Sequence, residues 1–142
     1  MKKVVIRGPL ITQSGYGVHS RQVARWLIDK SKDSKIDLVC QCTNWGTTPW
    51  KLDENADNGL IGDIMKHSRN VNHRFDVSVQ IQLPNEWDTN LANFNIGVTA
   101  GVETDVCSPA WIDAINKMNL VIVPSEFTKK TFMNSGNVTT PI

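Results

Sequence analysis

Short apolar runs rich in β-branched residues alternate along the chain with segments whose apolar positions recur at helical spacing, the pattern of βαβ units around a parallel sheet. Val4-Val5-Ile6 predicts a first strand, followed by a long loop over 8–17. Over about 18–30, Val23, Ala24, Leu27 and Ile28 share one stripe, as an amphipathic helix requires. Ile36-Asp37-Leu38-Val39-Cys40 predicts the second strand, and a polar, tryptophan-bearing loop runs from about 44 to 58. Leu60, Ile61, Ile64 and Met65 return to helical spacing. The segment 75–81 alternates apolar with polar residues, which predicts a strand that is half exposed or near an edge. Phe94-Asn95-Ile96-Gly97-Val98 is a fourth strand.

The last third is punctuated more sharply. Ser108 followed by Pro109 predicts a helix N-cap with proline at the first helical position, where its missing N–H costs nothing. Trp111, Ala114, Ile115 and Met118 then form a core-facing stripe. Leu120-Val121-Ile122-Val123 is short and wholly apolar, as a central parallel strand should be. Pro124-Ser125 ends it and caps a final helix from Glu126 to about Asn134, with Gly136 suited to a left-handed C-terminal position. The expectation is one three-layer α/β domain, Rossmann-like and doubly wound, with about five parallel strands.

In such sheets ligands bind beyond the carboxyl ends of the strands. The loops there are 8–17, 44–58, 82–90, 99–107 and the Pro124-Ser125 turn. Ser14-Gly15-Tyr16-Gly17-Val18-His19-Ser20 joins the first strand to the first helix, so its glycines let backbone approach a ligand and its helix start favours an anion. The pattern falls short of a dinucleotide fingerprint: Gly15 lies well beyond the strand, and Asp37 begins the second strand rather than ending it. It is not a Walker loop, and two turn glycines without a ligand remain the alternative. Asn44-Trp45-Gly46-Thr47-Thr48-Pro49-Trp50 suits sugar recognition, with a ring over an apolar sugar face and amides bonding hydroxyls. Equally, both rings pack the loop onto the domain. Glu86-Trp87 is a similar case. Glu103, Thr104 and Asp105 follow the fourth strand: Glu103 is placed to orient or deprotonate an acceptor hydroxyl, or else to satisfy loop amides and the helix dipole. Ser125 is an N-cap with room for a ligand contact.

Composition narrows the class. The 142 residues are 40% hydrophobic and 20% charged, with 15 Lys and Arg against 14 Asp and Glu, an ordinary single globular domain. Near-neutral charge argues against nucleic-acid binding, and no apolar run approaches the ~18–20 residues that cross a bilayer. Cys40, Cys42 and Cys107 form no disulfide framework, and the N-terminus lacks a cleavage site, which together predict a cytoplasmic location. CQC with His19, His67 and His73 offers no zinc spacing, so no metal is expected. A nucleophile elbow (G-x-S-x-G) and a D-x-D pair are both missing.

The segment SGYGVHSRQVARWL, the phrase IQLPNEWD and the run NIGVTAGVETDVCSPAWIDAINKMNLVIVPSEFTKKTF together resemble the N-terminal half of the family-four glycosyltransferases. Those are retaining enzymes of the GT-B fold that use a nucleotide sugar as co-substrate and no further cofactor. The resemblance covers nearly the whole chain and is most specific from Glu103 to Phe127. It implies that the chain holds mainly the acceptor, a sugar or glycan. It also implies that Gly15-Tyr16-Gly17 approaches the donor phosphates or the sugar being transferred, and that Glu103 and Ser125 line the cleft. The family's donor-binding domain carries two glutamates eight positions apart. Eight positions beyond each glutamate of this chain stand Gly62, Phe94, Trp111 and Asn134, so the pair is absent.

The resulting expectation is the acceptor-side half of a glycosyltransferase, inactive alone and completed by a donor-binding domain in cis or trans. The alternative is a non-catalytic glycan-, nucleotide- or protein-binding module that retains the fold. The open carboxyl edge also predicts weak homodimerisation, which light scattering at high concentration would detect.

Overall fold

A computed structural model describes residues 1–33, 35–102 and 104–142. Five strands, β1 (Lys2–Gly8), β2 (Ile36–Cys42), β3 (Phe75–Ile81), β4 (Ala92–Val98) and β5 (Leu120–Ile122), form one all-parallel sheet in the order β2-β1-β3-β4-β5. Among the described residues four α-helices accompany them: α1 (Gly15–Lys32), α2 (Leu60–His67), α3 (Pro109–Asn116) and α4 (Glu126–Ser135). The architecture is Rossmann-like and doubly wound, with the order reversing between β1 and β3.

Alternation along each strand assigns the two faces. Val4, Ile6, Leu38, Cys40, Val79, Ile81 and Val98 pack with Ala24, Leu27 and Ile28 of α1 and Ile61 and Ile64 of α2. On the opposite face Val121 joins Ile112, Ile115 and Phe132 from α3 and α4, with Trp111 set edge-on to Phe132 at 6.5 Å. Val5, Val39, Phe75 and Ala92 form a separate, smaller cluster.

Two strand expectations exchange places. β3, whose alternation suggested an open face or an edge, lies in the middle of the sheet. Its polar residues Ser78 and Gln80 are buried but satisfied. The Gln80 amide nitrogen donates to the Ser78 hydroxyl at 3.0 Å and to the Asp88 carbonyl at 2.7 Å, while its oxygen accepts the Asp88 N–H at 2.7 Å. Ser78 donates in turn to the Asn95 side-chain oxygen at 2.7 Å, and the Asn95 amide donates to the carbonyls of Thr89 and Ala92. This network anchors the β3–β4 connection, whose helical part is the single 3-10 turn Pro84–Glu86. Trp87 is thereby driven against Gly97, where a Cβ would stand 2.6 Å from the indole. The wholly apolar β5, expected at the centre, is an edge strand, and Ile122 is 48% exposed.

Two boundaries also move. α1 begins at Gly15 rather than near Val18, because Ser14 is extended and its hydroxyl accepts the Gly17 N–H at 3.0 Å, capping the helix earlier. Gly136 is extended, with φ of 173°, instead of left-handed. The Ser135 hydroxyl ends α4 there, donating to the Thr131 carbonyl at 2.6 Å and accepting the Cys107 N–H at 2.8 Å.

Candidate functional site

The carboxyl ends of β4 and β5, the first turn of α1 and the loop after β2 surround a cleft of about 410 Å³, a volume suited to a small ligand. α1 contributes Gly15, Tyr16 and His19, and the loop contributes Trp45. Val98, Thr99 and Ala100 follow from β4, and Ile122, Val123 and Pro124 from β5.

Tyr16 ties these parts together. Its ring stacks on Trp45 with centroids 4.4 Å apart and planes 17° from parallel. Its hydroxyl lies 3.1 Å from the Thr99 hydroxyl and accepts the Ala100 N–H at 3.0 Å. Thr99 also accepts the Gly101 N–H at 3.3 Å. Gly101 is left-handed at φ of 79°, and a Cβ there would meet the Thr128 methyl at 2.5 Å, so this turn lies directly on α4.

The Trp45 loop is fixed from behind by its backbone. The Gln13 N–H donates to the Pro49 carbonyl at 2.9 Å and the Lys51 N–H to the Ile11 carbonyl at 2.7 Å. Arg21 of α1 is buried, yet its charge is compensated. Its guanidinium donates to the carbonyls of Leu10 (3.1 Å) and Thr12 (2.8 Å) and pairs with Asp57 at 3.2 Å. A buried cation is tolerated when it is paired and hydrogen-bonded in this way. Asp57, Asn58 and Gly59 all have positive φ, which gives the turn that brings the Asp57 carboxylate to Arg21 and to Lys51, 3.2 Å away.

Of the residues singled out in the sequence, Gly15, Tyr16 and Trp45 meet in the cleft. Gly17 lies beneath it: a Cβ there would collide with the Thr12 carbonyl oxygen, so this glycine serves close backbone packing. Asn44 is exposed in the same loop but is not part of the lining. Glu86 accepts the Leu83 N–H at 3.0 Å, and Trp87 is buried against Gly97, so this pair builds the 82–91 segment and stands outside the cleft. Thr104 donates to the Val106 carbonyl at 2.7 Å and accepts the Thr131 hydroxyl through its own carbonyl. Ser125 caps α4, accepting the Thr128 N–H at 3.2 Å beside the lining residue Pro124. Glu103 lies outside the described residues. Thr99, Ile122 and Pro124 were not singled out as site residues; Thr99 and Pro124 stand in carboxyl-edge loops, and Ile122 is the last residue of β5.

Burial pushes the Cys40 thiol up to about 12, with Cys42 beside it adding to the shift, and burial raises Cys42 as well. Both thiols therefore stay protonated at neutral pH, which leaves them poor nucleophiles. Among the described residues no group of three or more His, Cys, Asp or Glu is placed to hold a metal ion, and no helix is long and apolar enough to cross a membrane. Comparison with protein-family models, with curated proteins and with solved structures finds no match.

Proposed function

We propose that this chain is the acceptor-side half of a nucleotide-sugar-dependent glycosyltransferase that transfers a glycosyl group to a hydroxyl acceptor. The observation that carries the reading is the Tyr16–Trp45 stack beside the Tyr16–Thr99 hydroxyl pair, at the sheet edge where such folds bind ligands. The sequence resemblance supplies the reaction type and implies that Glu103 lines the cleft, where a carboxylate is suited to orient or deprotonate the acceptor. Transfer then needs a donor-binding domain, in cis or trans, because the chain lacks the paired glutamates of that half.

NMR titration of the chain with a panel of nucleotide sugars and hydroxyl acceptors tests the reading. Saturable shifts centred on Tyr16, Trp45 and Ala100 with an acceptor support it, and shifts confined to other surfaces reject it. Robust turnover of a nucleotide sugar by the 142 residues alone contradicts the half-enzyme assignment.

One observation favours a non-catalytic binding module instead. Among the described lining residues only Tyr16 and His19 carry titratable groups, and the Tyr16 hydroxyl is already engaged. A cleft that binds acceptors with unchanged affinity in Glu103→Gln, and supports no transfer with any donor-binding partner, favours this second reading.

A further inference from the structure

The cleft surfaces are apolar. Val98, Ile122 and Pro124 supply aliphatic area, and Tyr16 and Trp45 supply aromatic area. Ile122 keeps 48% of its surface open to water although it ends a strand of the sheet. Such exposed apolar area in a concavity favours a ligand that removes it from water.

Around the Tyr16–Thr99 pair, hydrogen-bonding capacity is nearly used up. The Ala100 N–H donates to the Tyr16 oxygen, the Gly101 N–H donates to the Thr99 oxygen, and one of the two hydroxyls donates to the other. Whichever hydroxyl donates, the pair retains one O–H with no acceptor among the described residues. Beyond that O–H, the side-chain polar groups of the described lining are the His19 ring and the Trp45 indole N–H. A sugar ring would bury more hydroxyls than these few groups can pair, and unpaired buried hydroxyls are costly.

We infer that the cleft takes an apolar, ring-bearing alcohol, whose body lies on the aliphatic and aromatic walls and whose oxygen accepts the spare O–H of the Tyr16–Thr99 pair. This rests on the reading of the cleft as the acceptor site and narrows it: the acceptor is an aryl or alicyclic alcohol, and the sugar-recognition role expected of Trp45 gives way to stacking on an apolar ring.

Titration of the chain with 2-naphthol and, separately, with methyl glucoside, followed by amide and indole NMR shifts, tests the inference. The naphthol should move the Trp45 indole and the Ala100 and Gly101 amides, and bind at least about tenfold more tightly than the glucoside, as burial of its larger apolar area requires. Ile122→Ser and Ala100→Leu alter exposed positions, one removing apolar wall and one filling the cleft. Each should weaken naphthol binding several-fold with little change in melting temperature. The glucoside binding in the cleft as tightly as the naphthol overturns the inference while leaving the acceptor-site reading in place. Naphthol that shifts other surfaces, or that binds both variants as it binds the parent, also overturns it. If neither compound moves a cleft resonance, the acceptor-site reading falls with it.

Discussion

The Tyr16 hydroxyl accepts the Ala100 N–H at 3.0 Å across 84 positions of sequence, closing the first turn of α1 onto the end of β4. The same ring stacks on Trp45, so one side chain joins three loops of the carboxyl edge. Tyr16→Phe keeps the stack and removes the bond. A neutral hydrogen bond contributes about 1 kcal/mol, so the variant should unfold at slightly lower urea concentration. The Ala100 amide should exchange with solvent markedly faster. Unchanged exchange at Ala100 would show that the hydroxyl does not hold the turn.

The two glycines of α1 should respond in opposite ways to alanine. Gly15 has no atom within 4 Å of a Cβ, whereas Gly17 abuts the Thr12 carbonyl oxygen and hydroxyl. Gly15→Ala should be neutral or stabilise by up to about 0.5 kcal/mol through the unfolded chain. Gly17→Ala should destabilise by about 1–3 kcal/mol, because a packed backbone must shift. Denaturant midpoints of the two variants check this directly, and equal effects would contradict the packing described for Gly17.

Gln80→Leu preserves volume but strips both hydrogen bonds from Asp88 and one from Ser78. Leaving buried partners unpaired costs roughly 2–4 kcal/mol in sum. The segment 82–91 should loosen, and Trp87 should emit at longer wavelength as water reaches it. A variant with native fluorescence and stability would place the anchor of that segment elsewhere.

Cys40 predicts a dependence on alkaline pH. Its thiol is raised from the ordinary 9.0 to about 12 in the folded protein. Below the unfolded value both states hold the proton, and the thiol's contribution to stability is fully present. As pH rises toward the folded value, the unfolded thiol ionises and the folded one does not, so the folded state loses stability. Melting curves should fall more steeply above pH ~9 in the parent than in Cys40→Ala. Parallel curves would mean that the thiol ionises in the fold as readily as in the open chain.

How far the residue order could be read depended on whether neighbours along the chain carried the signal. Helix starts at Ser108 and Ser125 were legible because a cap and its partner amide lie within one turn. The strands were legible as apolar runs, and their parallel arrangement followed from helices falling between them. The ranking of β3 and β5 was not. Alternation reports which positions are polar, while burial depends on whether those polar groups find partners. Gln80 and Ser78 find theirs in Asp88 and Asn95, contacts that the polarity pattern of the strand does not encode.

The candidate site divides along the same line. Local order determined the α/β class, through the alternation of strand and helix segments, and put Tyr16 and Trp45 at the carboxyl edge, where the candidate cleft lies. Folding assigned the partners: Trp87 went into the core because Gly97 leaves room for an indole, and Thr99 joined Tyr16 because β4 ends beside α1. Such long-range pairs depend on which strands become neighbours, and strand order is set by the packing of the whole sheet rather than by any one segment.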